Sequence, residues 1–419
     1  MVKKVEGIKK VPKKKPVTVK DETKEASINV KKEDSKSKAK KEKKKKRKKD
    51  SKYHVYQLGH AYDNSECDEI CRIKEEENGN GKKQKKEPEG EFVLENLNVV
   101  FMGTGKFAGN ILEKIIKFSS CKEMIIITQP DKKLGRKKTS IKRSLAPNLV
   151  RNFAKETGMT LYQPEKLDEE AIKKIKSFKP DAIVVASYGK ILPEELLSLP
   201  KYSAINIHAS LLPKLRGASP IQNALLSGLK ETGVTIMKMD TGLDTGDIIL
   251  QKKLDIKEHE RADALLERLS KIGASLLIET AKKRKQGALK GTPQDSSQAT
   301  LCQMIDREDG HLQWTQTTEE IYNRYRALYP WPGVFSYWQE NENQFMRIKF
   351  ISIHPSSREL TDEQNRLSPG TVFINKDQLC IKTFDGAIII ETLQPECKVA
   401  MPIYDFLNGH KSFEGAVLQ

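Results

Sequence analysis

The chain has 419 residues, 75 Lys and Arg against 57 Asp and Glu, and a formal net charge of +18. At about 150 residues per domain this length allows two or three domains and excludes a single small module. No run of about 18 apolar residues occurs, so no spanning helix is expected, and the amino terminus lacks the apolar core of a secretory signal. Its many acids also argue against an ordinary organelle presequence.

The charge is unevenly placed. Residues 1–90 carry 29 Lys and Arg against 17 Asp and Glu, about two thirds of the whole excess. With almost no large apolar side chains in its first 50 residues, the segment 1–93 is expected to be a disordered, Lys-rich extension. Two readings of it stay open: attraction of a polyanion such as a nucleic acid by counterion release, or a solvated extension and nothing more. The six cysteines are scattered and read as reduced thiols of an intracellular protein. His54, His60, Cys67 and Cys71 have zinc-binding side chains, but their spacing fits no compact pattern, and no metal is expected.

Folded structure is expected from about Leu94, where the apolar run LNVVFM begins. In chain order, the pattern predicts a strand over Val99–Met102, a helix over Phe107–Phe118, a strand over Met124–Thr128 and a helix over Asn148–Thr157. A helix over Glu169–Phe178, strands over Asp181–Ala186 and Ala204–His208, and a helix over Ser219–Leu226 follow. Short apolar strands alternating with helices indicate a buried parallel sheet covered on both faces, a doubly wound, Rossmann-like α/β domain. Val234–Met239 and Ile248–Gln251 read as antiparallel additions, and a long amphipathic helix over Arg261–Arg284 closes the domain, set at 94–287. Residues 288–303, rich in Gly, Pro, Ser, Gln and Thr, read as a linker. In 304–419 a helix at Thr318–Leu328 precedes strands at Phe345–Ile353, Thr371–Asn375, Cys380–Thr383 and Ala387–Leu393, which suggests a small OB-like β-barrel.

Asn206 and His208 alternate along a predicted strand, so both emerge on one side of it, at the carboxyl edge where open α/β sheets bind ligands. Thirty-six residues after His208, Gly242-Leu243-Asp244-Thr245-Gly246 sets an acid in a glycine-flanked loop. An Asn amide and a His ring can donate to the oxyanion of acyl transfer, while Asp244 can accept the proton of an attacking amine and orient His208. No Ser or Cys nucleophile is required, since the amine attacks by itself. Taken singly, each of these residues is as consistent with a packed, hydrogen-bonded structural role. Gly103-Thr104-Gly105 after the first strand is a poor dinucleotide fingerprint, because the third glycine, Gly109, falls one position late.

The strings QPDKKLGR (Gln129–Arg136), ASYGKILP (Ala186–Pro193), NIHASLLPKLRGASPIQNALLSG (Asn206–Gly228), ETGVTIMKMDTGLDTGDIIL (Glu231–Leu250) and YPWPG (Tyr329–Gly333) closely resemble the methionyl-tRNA formyltransferase family. The match runs in order from about residue 97 to 419. It implies 10-formyltetrahydrofolate as formyl donor, initiator methionyl-tRNA as acceptor, and Asn206, His208 and Asp244 as the catalytic residues. It also implies that Ser210, Leu211, Leu212 and Pro213 line the folate site. The basic loop Lys132–Arg143 is expected to grip the acceptor stem through phosphates, with Arg136, Lys137, Lys138, Lys142 and Arg143 as the tRNA-binding residues. One departure is Gly105, where the family commonly has Pro. Another is the amino-terminal extension, which the resemblance does not explain.

Rival readings keep the fold and change the reaction or the acceptor. They are a formyltransferase for a small amine such as glycinamide ribonucleotide or an amino-sugar nucleotide, a hydrolase of formyl-folate, or an inactive RNA-binding protein. The basic loop and the β-rich carboxyl-terminal domain favour a tRNA acceptor, and the survival of all three catalytic types favours an enzyme. A monomer in a bacterial cytoplasm is the expectation, with a mitochondrion or plastid as the alternative.

Overall fold

The computed structural model describes residues 96–118, 121–131, 148–285, 290–341 and 344–419. The extension 1–93, the candidate ligands His54, His60, Cys67 and Cys71, and the tRNA-binding candidates Arg136, Lys137, Lys138, Lys142 and Arg143 lie outside these described residues.

From β1 (Asn98–Gly103) the chain runs through α1 (Gly105–Phe118), β2 (Glu123–Ile127), α2 (Leu149–Glu156), β3 (Thr160–Tyr162), α3 (Glu169–Ser177), β4 (Ala182–Ala186), α4 (Glu194–Leu197) and β5 (Ala204–His208). Next come β6 (Arg216–Gly217), α5 (Pro220–Leu226), β7 (Glu231–Lys238), β8 (Ile248–Asp255) and α6 (Ala262–Lys285). The strands form a seven-stranded sheet in the order β3-β2-β1-β4-β5-β7-β8. Its first five are parallel and its last two antiparallel.

The period of two along β1 explains the layers. Val99 and Phe101 pack with Ile111 and Leu112 of α1 and Leu265 and Leu269 of α6. Val100 and Met102 pack with Ile175 of α3 and Leu196 of α4, on the other face. Local signals set the helix starts: Asn148 accepts from the Arg151 N–H and Asp168 from the Ala171 N–H, each at 3.1 Å. Gly105 has φ +80°, a conformation closed to proline, whose ring holds φ near −65°.

The carboxyl-terminal half contains β9 (Leu301–Cys302), α7 (Thr318–Leu328), β10 (Val334–Asn341), β11 (Gln344–Pro355), α8 (Asp362–Asn365), β12 (Val372–Asn375), β13 (Gln378–Lys382), β14 (Ala387–Pro395), β15 (Met401–Pro402) and α9 (Ile403–Gly409). Five of its strands run in the antiparallel order β10-β11-β14-β13-β12, with β15 against β14. The edges β10 and β12 are joined by residues 415–419. The Val372 N–H donates to Ala416 O and the Leu418 N–H to Gly370 O on one side, and Tyr337 and Gln419 exchange both backbone bonds on the other. This seam closes the sheet on itself. The sequence pattern does not mark β10, because Ser336 and Gln339 interrupt its apolar run; the strand forms because Val334, Phe335 and Trp338 are buried.

The two halves share one continuous core, to which α5 contributes Ile221 and Leu225 and α7 contributes Ile321 and Leu328. The Arg261 guanidinium lies 3.8 Å from the centre of the Tyr329 ring. The Gly- and Pro-rich segment between the halves is fixed along the first domain: Thr292 exchanges two backbone hydrogen bonds with Ile248 at 2.8 Å, and β9 pairs in parallel with β6.

Candidate active site

The sheet order reverses between β1 and β4, and the crevice beyond their carboxyl ends is where such folds bind ligands. Here the Thr104 N–H donates to Ser187 O at 3.2 Å, bridging the ends of β1 and β4. The next strand, β5, carries Asn206 and His208 toward its carboxyl end; its antiparallel neighbour β7 finishes at Lys238, opposite Ile205, so the loop after β7 starts at the amino end of β5 and turns back along it.

That loop carries Asp244 to the strand end. Asn206 Nδ2 donates to Asp244 Oδ1 at 3.2 Å, and the Gly217 N–H donates to Oδ2 at 2.8 Å. His208 Nδ1 stands 3.6 Å from Oδ2, while Nε2 lies 2.9 Å from Leu215 O. A carbonyl cannot donate, so Nε2 must carry a proton and Nδ1 is the atom presented to Asp244. His208 is buried, and Asp244 holds φ +52°, a left-handed conformation rare outside glycine. Two glycines let the walls come this close. A Cβ on Gly246 would meet Lys238 O at 1.8 Å, and one on Gly217 would meet Cys302 O at 2.6 Å.

All three candidates border a cavity of about 680 Å³. Its walls also include Ser187–Leu192 after β4, Met237 and Met239 from β7 and the following residue, and Cys302. Ile191, Leu243 and Met304 are large apolar side chains left exposed at its border. The Cys302 thiol contacts Leu215 O and Arg216 O, and burial, above all, pushes its pKa up, so it is not poised as a nucleophile. Sequence reasoning gives Ser187–Leu192 no role. The signal is there: a glycine at a strand's carboxyl end, Gly189, which takes φ +74°.

Ser210, Leu211, Leu212 and Pro213 are placed differently. They are not among the residues that border this cavity. Ser210 is buried and its hydroxyl donates to Lys214 O at 2.7 Å. The Thr235 hydroxyl donates to Ser210 O at 2.7 Å and accepts from the Leu212 N–H at 3.1 Å. Gln251 Nε2 donates to Leu212 O at 2.7 Å. The turn is thus fastened to β7 and β8.

Residues 97–281 match the formyl transferase family, and residues 304–411 match the formyl transferase carboxyl-terminal domain. The class is therefore a two-part formyl transferase. Among curated relatives, the methionyl-tRNA formyltransferase of Caldicellulosiruptor saccharolyticus is 41% identical over 325 residues, covering 77% of this chain and 100% of that one. That of Listeria innocua is 38% identical over 313 residues, covering 74% and 95%. The chain belongs to the methionyl-tRNA formyltransferase family. Solved structures agree in fold at low identity. HypX from Aquifex aeolicus, in complex with tetrahydrofolic acid, has a TM-score of 0.50 at 16% identity, with 75% of this chain matched to 48% of that chain, so this chain spans about half of HypX. An N-formyltransferase from Helicobacter canadensis, in complex with folinic acid and dTDP-3-aminofucose, has a TM-score of 0.50 at 18% identity, covering 70% and 98%.

Proposed function

We propose that the chain transfers the formyl group of 10-formyltetrahydrofolate to the α-amino group of initiator methionyl-tRNA, with Asn206, His208 and Asp244 as the reacting-site residues. The observation that carries this is the meeting of Asn206 Nδ2 and His208 Nδ1 at the Asp244 carboxylate, on the wall of an open cavity. The folate fits that cavity between Ser187–Leu192 and the Met237, Met239 and Leu243 side chains: apolar surface for a flat ring, backbone groups for its edge. Ser210, Leu211, Leu212 and Pro213 serve this site by holding the strand end in place.

The amine nitrogen attacks the formyl carbon, and the carbonyl electron pair moves onto oxygen. One Asn206 N–H is taken by Asp244 and the second is left for that oxyanion. The amine's proton passes to His208 Nδ1 or to Asp244, whose carboxylate retains free lone pairs and stabilises the imidazolium. Return of that proton to N10 of the folate releases it as a neutral amine, and the carbonyl re-forms on the product. Recognition of the tRNA falls to the basic loop with Arg136, Lys137, Lys138, Lys142 and Arg143, and to the carboxyl-terminal barrel.

The test is formyl transfer from 10-formyltetrahydrofolate by the full chain, with charged initiator tRNA, glycinamide ribonucleotide, an amino-sugar nucleotide or no acceptor. Transfer to Met-tRNA alone is expected. Transfer to a small amine only, or release of formate without any acceptor, would sink the proposal.

A further inference from the structure

Between the two halves, Gln294 joins the two loops that meet at the catalytic carboxylate. Its Nε2 donates to Asp244 O at 2.9 Å and to Gly246 O at 2.7 Å. Its Oε1 accepts from Arg216 Nε at 3.1 Å and from Arg216 Nη2 at 2.8 Å. Both ends of one amide are thus used, on the loop that carries Asp244 and on the residue beside Gly217, whose N–H holds Asp244 Oδ2. The same segment then fixes the Leu215–Gly217 stretch along its length. The Leu215 N–H donates to the Thr300 hydroxyl and the Arg216 N–H to Thr300 O, each at 2.8 Å, and β9 pairs with β6. Leu215 O is the partner of His208 Nε2.

We infer that Gln294 is a positioning residue of the active site, which holds Asp244 in its left-handed backbone conformation and at a fixed distance from His208. Asp244 at φ +52° persists only where its surroundings over-determine it, and the two Gln294 donors sit on the carbonyls at and just after that strained residue. Arg216 is buried, and its guanidinium fixes the far end of the amide. A segment that composition marks as connector is therefore part of the site's frame. The inference rests on the assignment of Asp244 to the reaction.

The experiment compares three variants with the unaltered full chain: Gln294→Leu, which keeps the bulk and removes both ends; Gln294→Glu, which keeps the acceptor for Arg216 and loses the donors; and Asp244→Asn as control. Each is checked for fold by circular dichroism and thermal melting, then for kcat and for KM toward both substrates. With Asp244→Asn inactive, Gln294→Leu and Gln294→Glu are expected to lower kcat by about 30-fold, the scale of a sub-ångström to 1 Å misplacement. KM should stay within about twofold for both. If Gln294→Leu does not fold, Gln294→Glu alone decides. A kcat within about twofold of the unaltered chain, or an effect on KM only, overturns the inference. An active Asp244→Asn overturns the catalytic assignment instead.

Discussion

Asn206 and His208 lie at one end of a short peptide whose other end, Ser210–Pro213, has the opposite fate. At the first end, Asn206 has one amide N–H to spare, and His208 presents Nδ1 toward a carboxylate on a cavity wall. At the second, the Ser210 hydroxyl and carbonyl and the Leu212 N–H and carbonyl are all satisfied within the protein. The two stretches are adjacent in the chain and both carry polar groups. What separates them is whether internal bonds consume their hydrogen-bonding capacity or leave some for a substrate.

The largest expected effect falls on the open end. His208→Ala should lower kcat by about 10³-fold while tRNA affinity, measured by filter binding, stays within about twofold; turnover near that of the unaltered chain would break the contrast. Next comes the closed end. Thr235→Val keeps the shape and strands the Leu212 N–H and Ser210 carbonyl, so denaturant titration should find about 3 kcal/mol of stability lost. Smaller again, Ser210→Ala should cost about 1 kcal/mol and change the folate KM less than twofold. A tenfold rise in that KM would return Ser210 to the substrate and erase the distinction.

Much of the first domain was legible because its signals are local. Continuous apolar strands and period-3.6 helices set the elements, and the alternation of Asn206 and His208 set the side they share. The position of Asp244 was legible only as a loop, since its approach to Asn206 and His208 depends on how the residues after β7 turn back along β5, which no periodicity encodes. Two features left no trace in the pattern. The role of Gln294 needs two carbonyls and one guanidinium, drawn from residues 216, 244 and 246, and no periodicity encodes that meeting. The inward bonding of Ser210 and Leu212 depends on Thr235 and Gln251, more than twenty residues on, which no local pattern marks.

The seam made by residues 415–419 has a consequence for synthesis. The first domain's sheet is complete once β8 and α6 have left the ribosome, and it can fold while the rest is still being made. The barrel cannot close until residues 415–419 are made, because they join its β10 and β12 edges. Until that stretch emerges, both edges carry unpaired backbone groups open to strands of other chains. The nascent protein is therefore most exposed to aggregation in the interval between synthesis of β10 and synthesis of residues 415–419, when the first domain is already in place.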